Sequence, residues 1–109
     1  MRLHPGPFEA IKSGEKIYEM RLNDEKRQQM KVGDTIEFVS RADGTSFEAE
    51  IVGLSYYKNF AEMYAALPLD KCGYKADEVA NAKPEDMEQY YSPAEIEKFG
   101  TVAIKLRKN

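Results

Sequence analysis

One cysteine and one histidine occur among these 109 residues, and that scarcity removes several kinds of chemistry. Cys72 alone cannot form an intrachain disulfide, and His4 alone has no second imidazole at a zinc-binding spacing. The sequence therefore predicts neither a metal site nor a cofactor. No apolar run approaches the roughly 18 residues that cross a bilayer, and the first residues lack the apolar core of a signal peptide. The expectation is a cytoplasmic protein with no membrane partner. Internal repeats and low-complexity segments are missing as well, which leaves a single domain over residues 1–109. Positive charge is also short: 16 Lys and Arg stand against 19 Asp and Glu, a net −3. Affinity for a phosphate backbone comes largely from counterion release by several basic groups, so this balance argues against a general polyanion-binding surface.

What the chain does have is enough apolar matter for one core, with 42% hydrophobic and 11% aromatic residues. Its charge is unevenly spread. Residues 1–41 carry eight basic and seven acidic side chains, residues 42–98 five and twelve, and residues 99–109 three and none. If the two chain ends meet in a sheet, one basic face can exist on an acidic protein, suited to a short nucleic-acid segment or a single nucleotide.

Local signals order the chain. Pro5 and Pro7 suit the first turn of a helix, Phe8 and Ile11 share one helical face, and Gly14 suits a left-handed stop. From Lys16 the pattern becomes extended. Period-two alternation sends Ile17, Glu19 and Arg21 to one side and Tyr18 and Met20 to the other. Asn23 or Asp24 can cap a short turn through Arg27 or Met30. Residues 34–57 read as a long hairpin: Ile36 and Phe38 alternate on the first arm, Ala42-Asp43-Gly44-Thr45 makes the turn, and Phe47, Ala49 and Ile51 alternate on the second. Gly53 marks a bulge. Asn59 with Glu62 caps a helix whose Phe60, Met63, Tyr64 and Leu67 line one face, and Pro68 ends it. Residues 70–91 are acidic and irregular, with short helical pieces near 76–81 and 85–89. Ser92-Pro93-Ala94-Glu95 is a capping box opening a helix that stops at Gly100, and Val102, Ile104 and Leu106 alternate in a last strand. The sum is an α+β chain.

The densest cluster of opposing charge is Gly14-x-Lys16-x-x-Glu19-x-Arg21 at the first helix-to-strand junction. Lys16 has the wrong parity to join Glu19 inside a regular strand, so it converges only from an irregular turn, which the backbone freedom of Gly14 permits. Taken from the residues alone, the three charges make a local ion-pair set that fixes the junction, a role worth about 0–1 kcal/mol for exposed pairs.

This string resembles the signature of the ASCH domain family (activating signal cointegrator homology), small β-barrel domains related in architecture to the PUA RNA-binding fold. The resemblance extends through Arg21-Leu22-Asn23-Asp24, the Lys31-Val32-Gly33-Asp34-Thr35-Ile36 turn into a strand, Tyr90-Tyr91-Ser92 and Phe99-Gly100, and so covers nearly the whole chain. It implies a PUA-like closed or partly open β-barrel with short flanking helices. It also implies a cleft at the barrel mouth, where Lys16 and Arg21 meet phosphate or base acceptors of RNA or a nucleotide or nucleoside, and Glu19 orients them. One branch of similar proteins hydrolyses N4-acetylcytidine with a lysine, a threonine nucleophile and a glutamate. Lys16 matches that lysine, but Glu19 occupies the threonine position, and a carboxylate does not replace an alcohol activated for attack. The alternative function is a hydrolase acting on an acylated nucleoside or on RNA, with Lys16 and Glu19 as its catalytic pair and Glu19 a base on water. It ranks below binding. A protein-interaction module using the acidic 70–97 segment is a third reading.

Tyr56, Tyr57, Tyr90 and Tyr91 offer aromatic faces on which bases stack. Alternation or helical rotation should bury one ring of each adjacent pair, so at most one per pair is a candidate. Tyr57 with Lys58, and Tyr90 with Ser92, are the choices. Asn23 reads as a cap, Arg41 as a solvated hairpin residue, and His4 as a structural residue near the motif strand. Cys72 reads as a small loop or core residue, since no histidine follows it.

Overall fold

The computed structural model describes residues 1–108, and its strands are β1 (Arg2–Leu3), β2 (Tyr18–Leu22), β3 (Thr35–Ser40), β4 (Ser46–Tyr57) and β5 (Thr101–Lys108). They form one sheet in the order β1-β3-β4-β5-β2. Only the β1–β3 pair is parallel. The sheet curls into a half-barrel with β1 and β2 as free edges, the partly open form of the barrel that the resemblance implied. The two terminal strands do not meet: β3 and β4 lie between β1 and β5. The basic face expected from adjoining chain ends is therefore not built by β1 and β5. It is β2 that flanks β5.

The hairpin arises where the turn chemistry placed it. Asp43 Oδ1 accepts from the Thr45 N–H at 3.0 Å and from its hydroxyl at 2.7 Å, and Gly44 takes the positive φ of 76° that closes the turn. On β4 the pairing with β5 shifts between Ile51 and Gly53. This bulge changes which residues face inward. Before it Phe47, Ala49 and Ile51 face one way, and after it Leu54 and Tyr56 do, as their pairing with Ile104 and Val102 requires.

Two cores result, one on each face of the sheet. The inner core gathers residues from β1, β3, β4 and β5 with Phe8 and Ile11 of α1 (Pro5–Ser13), and Phe38, Ile51 and Ile104 are wholly buried in it. Each such side chain stabilises the fold by about 1.5–3 kcal/mol relative to exposure. The outer core joins Met20 and Ala103 to Phe60, Met63 and Tyr64 of α2 (Phe60–Ala66) and to Met87. Simple alternation in the last strand was expected, yet Thr101, Val102, Ala103 and Ile104 are all buried. The reason is the second layer, which covers the face of β5 that alternation would leave to water.

Residues 69–89 hold three 3-10 turns, Leu69–Lys71, Val79–Asn81 and Pro84–Gln89, the last two overlapping the short helical pieces expected near 76–81 and 85–89. They are tethered by a phenol chain in which the Tyr64 and Tyr74 hydroxyls lie 2.7 Å apart and Tyr74 donates to Asp86 at 2.9 Å. Helix α3 (Pro93–Phe99) follows with its capping box intact: Ser92 Oγ accepts from Glu95 N–H, and the Glu95 carboxylate accepts from Ser92 N–H. Among the described residues no helix is long and apolar enough to cross a membrane.

Candidate functional site

Helix α1 ends where Gly14 turns left-handed, at φ 88°, and its N–H reaches the Ile11 carbonyl. The next residues are clamped between elements rather than paired in a ladder. Lys16 N–H donates to Ala10, Ile17 N–H donates to the Lys71 carbonyl, and the Ile17 carbonyl accepts from Leu106. This irregular path supplies the convergence that strand parity denies. Lys16 Nζ donates to Glu19 Oε1 at 2.8 Å, and Arg21 Nη2 donates to Glu19 Oε2 at 3.2 Å. On β2, Glu19 lies opposite Ile104 and Arg21 opposite Val102, so both belong to the inner face, while Tyr18 and Met20 take the outer face.

The three groups are unequally accessible. The Lys16 and Glu19 side chains retain only 9% and 6% of their exposure, whereas Arg21 retains 22%. Gly73 lies over the lysine. At φ 106° it presents no side chain there, and a Cβ would stand 3.3 Å from Lys16 Cδ and 3.7 Å from Nζ. Burial opposes the charge on Glu19, but Lys16 and Arg21 outweigh it and hold the carboxyl below its ordinary value. Burial likewise opposes the charge on Arg21, and Glu19, joined by the Tyr91 phenol, overcomes it and raises the guanidinium above its usual value. One carboxylate thus serves two cations. The cluster keeps one positive charge in a poorly solvated place, and its outlet is the partly exposed guanidinium.

Chemically this arrangement favours holding an anion over moving a proton. Both oxygens of Glu19 are engaged and the group is held ionised, while an effective general base has a pKa near the working pH. Arg21 has five N–H donors and spends one on Glu19, leaving most of its fork for an oxyanion or a base edge. After burial, Arg21 and Lys26 are the cations that hold the Met1 amine below its ordinary value, so both lie within electrostatic reach of the chain's first residue. Among the described residues no group of three or more His, Cys, Asp or Glu is placed to hold a metal ion.

The other candidates fall elsewhere. Tyr57 is half-buried against the outer core, and its exposed neighbour Tyr56 takes the inner face. Lys58 lines a hollow of about 380 Å³ with Phe60, Glu85, Glu88, Ile96 and Glu97, and neither Lys16, Glu19 nor Arg21 borders it. Tyr90 is exposed. Ser92 is the cap of α3. Asn23 is half-buried with its Oδ1 unpartnered, while Asp24 caps the next turn by accepting from Arg27 N–H. His4 stands exposed at the start of α1. Cys72 is buried, its thiol pushed up to about 11 by that burial, which suits packing and not nucleophilic attack.

Two contributors escaped the sequence. Tyr91 is the half-buried ring of its pair, which helps to hold the Arg21 guanidinium charged and stacks on Phe60 with centroids 6.0 Å apart. The pairing rule says that one ring turns inward but not which one, because residues 70–91 have no regular period. Gly73 lies in the same stretch, and its only signal was its own permissive backbone.

The comparisons agree with this architecture. The crystal structure of hypothetical protein PH0355 superposes with a TM-score of 0.80 at 31% identity, covering 100% of this chain and 96% of the other. The solution NMR structure of protein PF0455 from Pyrococcus furiosus gives 0.68 at 27% identity, covering 99% and 97%. No curated protein matches. The ASCH domain pattern matches residues 1–109, and with a PUA-like half-barrel carrying Lys16, Glu19 and Arg21 on one junction, the chain belongs to the ASCH domain family.

Proposed function

We propose that this protein binds single-stranded RNA or a nucleotide through the Arg21 guanidinium, set by Glu19 and backed by Lys16. The observation that carries this reading is the charge imbalance of the cluster: two cations share the single buried carboxylate of Glu19, and Arg21 is the more exposed of the two. An arriving phosphate or base acceptor would complete the balance with charge-assisted hydrogen bonds, which are about twice as strong as neutral ones. Membership of a family generally thought to bind RNA supports the same ligand class. Hydrolysis draws less support, since a carboxylate held ionised by two partners is a poor base for water.

The test is titration of a short single-stranded RNA and of free mononucleotides into the wild type and Arg21→Gln. That substitution leaves the 2.8 Å Lys16–Glu19 pair in place. Loss of one charge-assisted contact should weaken binding about tenfold with the fold intact by thermal melting. Equal affinity in a folded variant would overturn the reading.

A further inference from the structure

Away from the Glu19 cluster, a surface hollow of about 310 Å³ is lined by Arg2 and Arg41. That volume is at the lower end of ligand-sized clefts. The two arginines are far apart in sequence, and the fold brings them together through the parallel pairing of β1 on β3. Arg2 lies opposite Val39, and Arg41 N–H donates to the Leu3 carbonyl just beyond the last pair. Both side chains are exposed, and neither forms an ion pair with a carboxylate among the described residues. Glu37 shares the outer face of β3 with Val39 but opposes Glu48 across the hairpin, and it makes no bond to either guanidinium. Two like charges bordering one hollow repel, and an anion between them removes the penalty. Planar guanidinium forks match the paired oxygens of a phosphate.

Position ties this hollow to the first site. Arg2 follows Met1 directly, and Met1 lies within electrostatic reach of Arg21 and Lys26. The carboxylates of Glu37 and Glu19 act on the same amine, so the hollow at Arg2 and Arg41 is a separate cationic place and not the end of an unbroken basic track. We propose that Arg2 and Arg41 form a second phosphate site, which takes a phosphodiester group of a single-stranded RNA that also places a nucleotide at Arg21. This rests on the RNA reading above and adds to it a minimum length of more than one nucleotide.

The experiment compares wild type, Arg2→Gln/Arg41→Gln, and Arg21→Gln, each titrated with a mononucleotide and with an eight-nucleotide single-stranded RNA over a range of salt. The double variant should bind the mononucleotide as wild type does and the oligonucleotide about tenfold more weakly. Its slope of log affinity against log salt should be shallower by about 0.7 for each phosphate released. A double lysine variant, keeping charge without the fork, should recover most of the slope but only part of the affinity. Unchanged oligonucleotide affinity and slope in the double glutamine variant would overturn the second site while leaving Arg21 as the binding residue. If Arg21→Gln has no effect, yet the double variant loses oligonucleotide binding, the Arg21 reading falls and a phosphate site at Arg2 and Arg41 stands alone. If wild type binds neither ligand, both fall.

Discussion

Glu19 is the residue on which the junction turns. A carboxylate removed from water is tolerated when its neighbours repay the desolvation, and breaking such a set by deleting one member costs about 3–5 kcal/mol because an uncompensated charge is left inside. Glu19→Gln should therefore lower stability at pH 7 by about 3 kcal/mol, read from urea midpoints, since it strands the ammonium of Lys16 beside Arg21. The penalty should depend on pH. The carboxyl sits below its ordinary value of 4.5 in the folded protein, so the stabilisation it contributes is fully present above about that pH and fades as pH falls through the lower folded value. Wild type and variant should accordingly converge in strongly acid solution. A constant gap from pH 7 to pH 2 would show that ionisation of Glu19 contributes nothing. At this scale the sequence was readable where a period governed it: alternation put Glu19 and Arg21 on one face. The meeting of Lys16 with Glu19 could only be stated as a condition, because it depends on the Ala10 and Lys71 carbonyls that pin residues 16 and 17 from opposite sides.

Elements were legible where capping and turn chemistry are local. Asn59 accepts from Glu62 N–H at 2.9 Å, as the spacing required, while the Glu62 carboxylate accepts from Lys58 N–H at 3.1 Å, one residue before the cap. Helix α2 has only seven residues, too few to persist alone in water. Its cap and its buried Phe60 and Met63 therefore share the work of holding it. Asn59→Ala should cost about 1 kcal/mol and Asn59→Asp close to nothing. Chemical denaturation checks both, with a shifted midpoint and an unchanged slope expected for the alanine variant. An alanine variant as stable as wild type would mean that packing alone fixes the helix start. Strand β1 was invisible for the opposite reason. Two residues have no period, and the strand exists only because residues 39 to 41 offer an open edge. The 3-10 turns of residues 69–89 were located only roughly, since a single turn leaves no repeating apolar stripe.

On the scale of the molecule, one sheet serves two cores, and the layers differ in how they are held. Strand β5 lies between β4 and β2 with apolar layers on both faces, so its amides can open only when the fold does. Residues 74–90 bury little beyond Met87 and are fastened by Tyr74, whose hydroxyl links Tyr64 to Asp86. Such segments open locally at a small fraction of the global free energy. Hydrogen exchange should therefore be slowest in β5 and the middle of β4 and fastest between residues 74 and 90. Tyr74→Phe deletes the central hydroxyl while keeping the ring against Tyr64. One net hydrogen bond is worth about 1 kcal/mol, so exchange across residues 75–90 should quicken about fivefold with β5 unchanged. Equal acceleration in β5 would show that the outer layer and the sheet unfold as one unit. Gly73, which covers the Lys16 ammonium, adjoins this segment. The same comparison, repeated with RNA bound, should show slower exchange near Gly73 if the ligand steadies the junction from the Arg21 side.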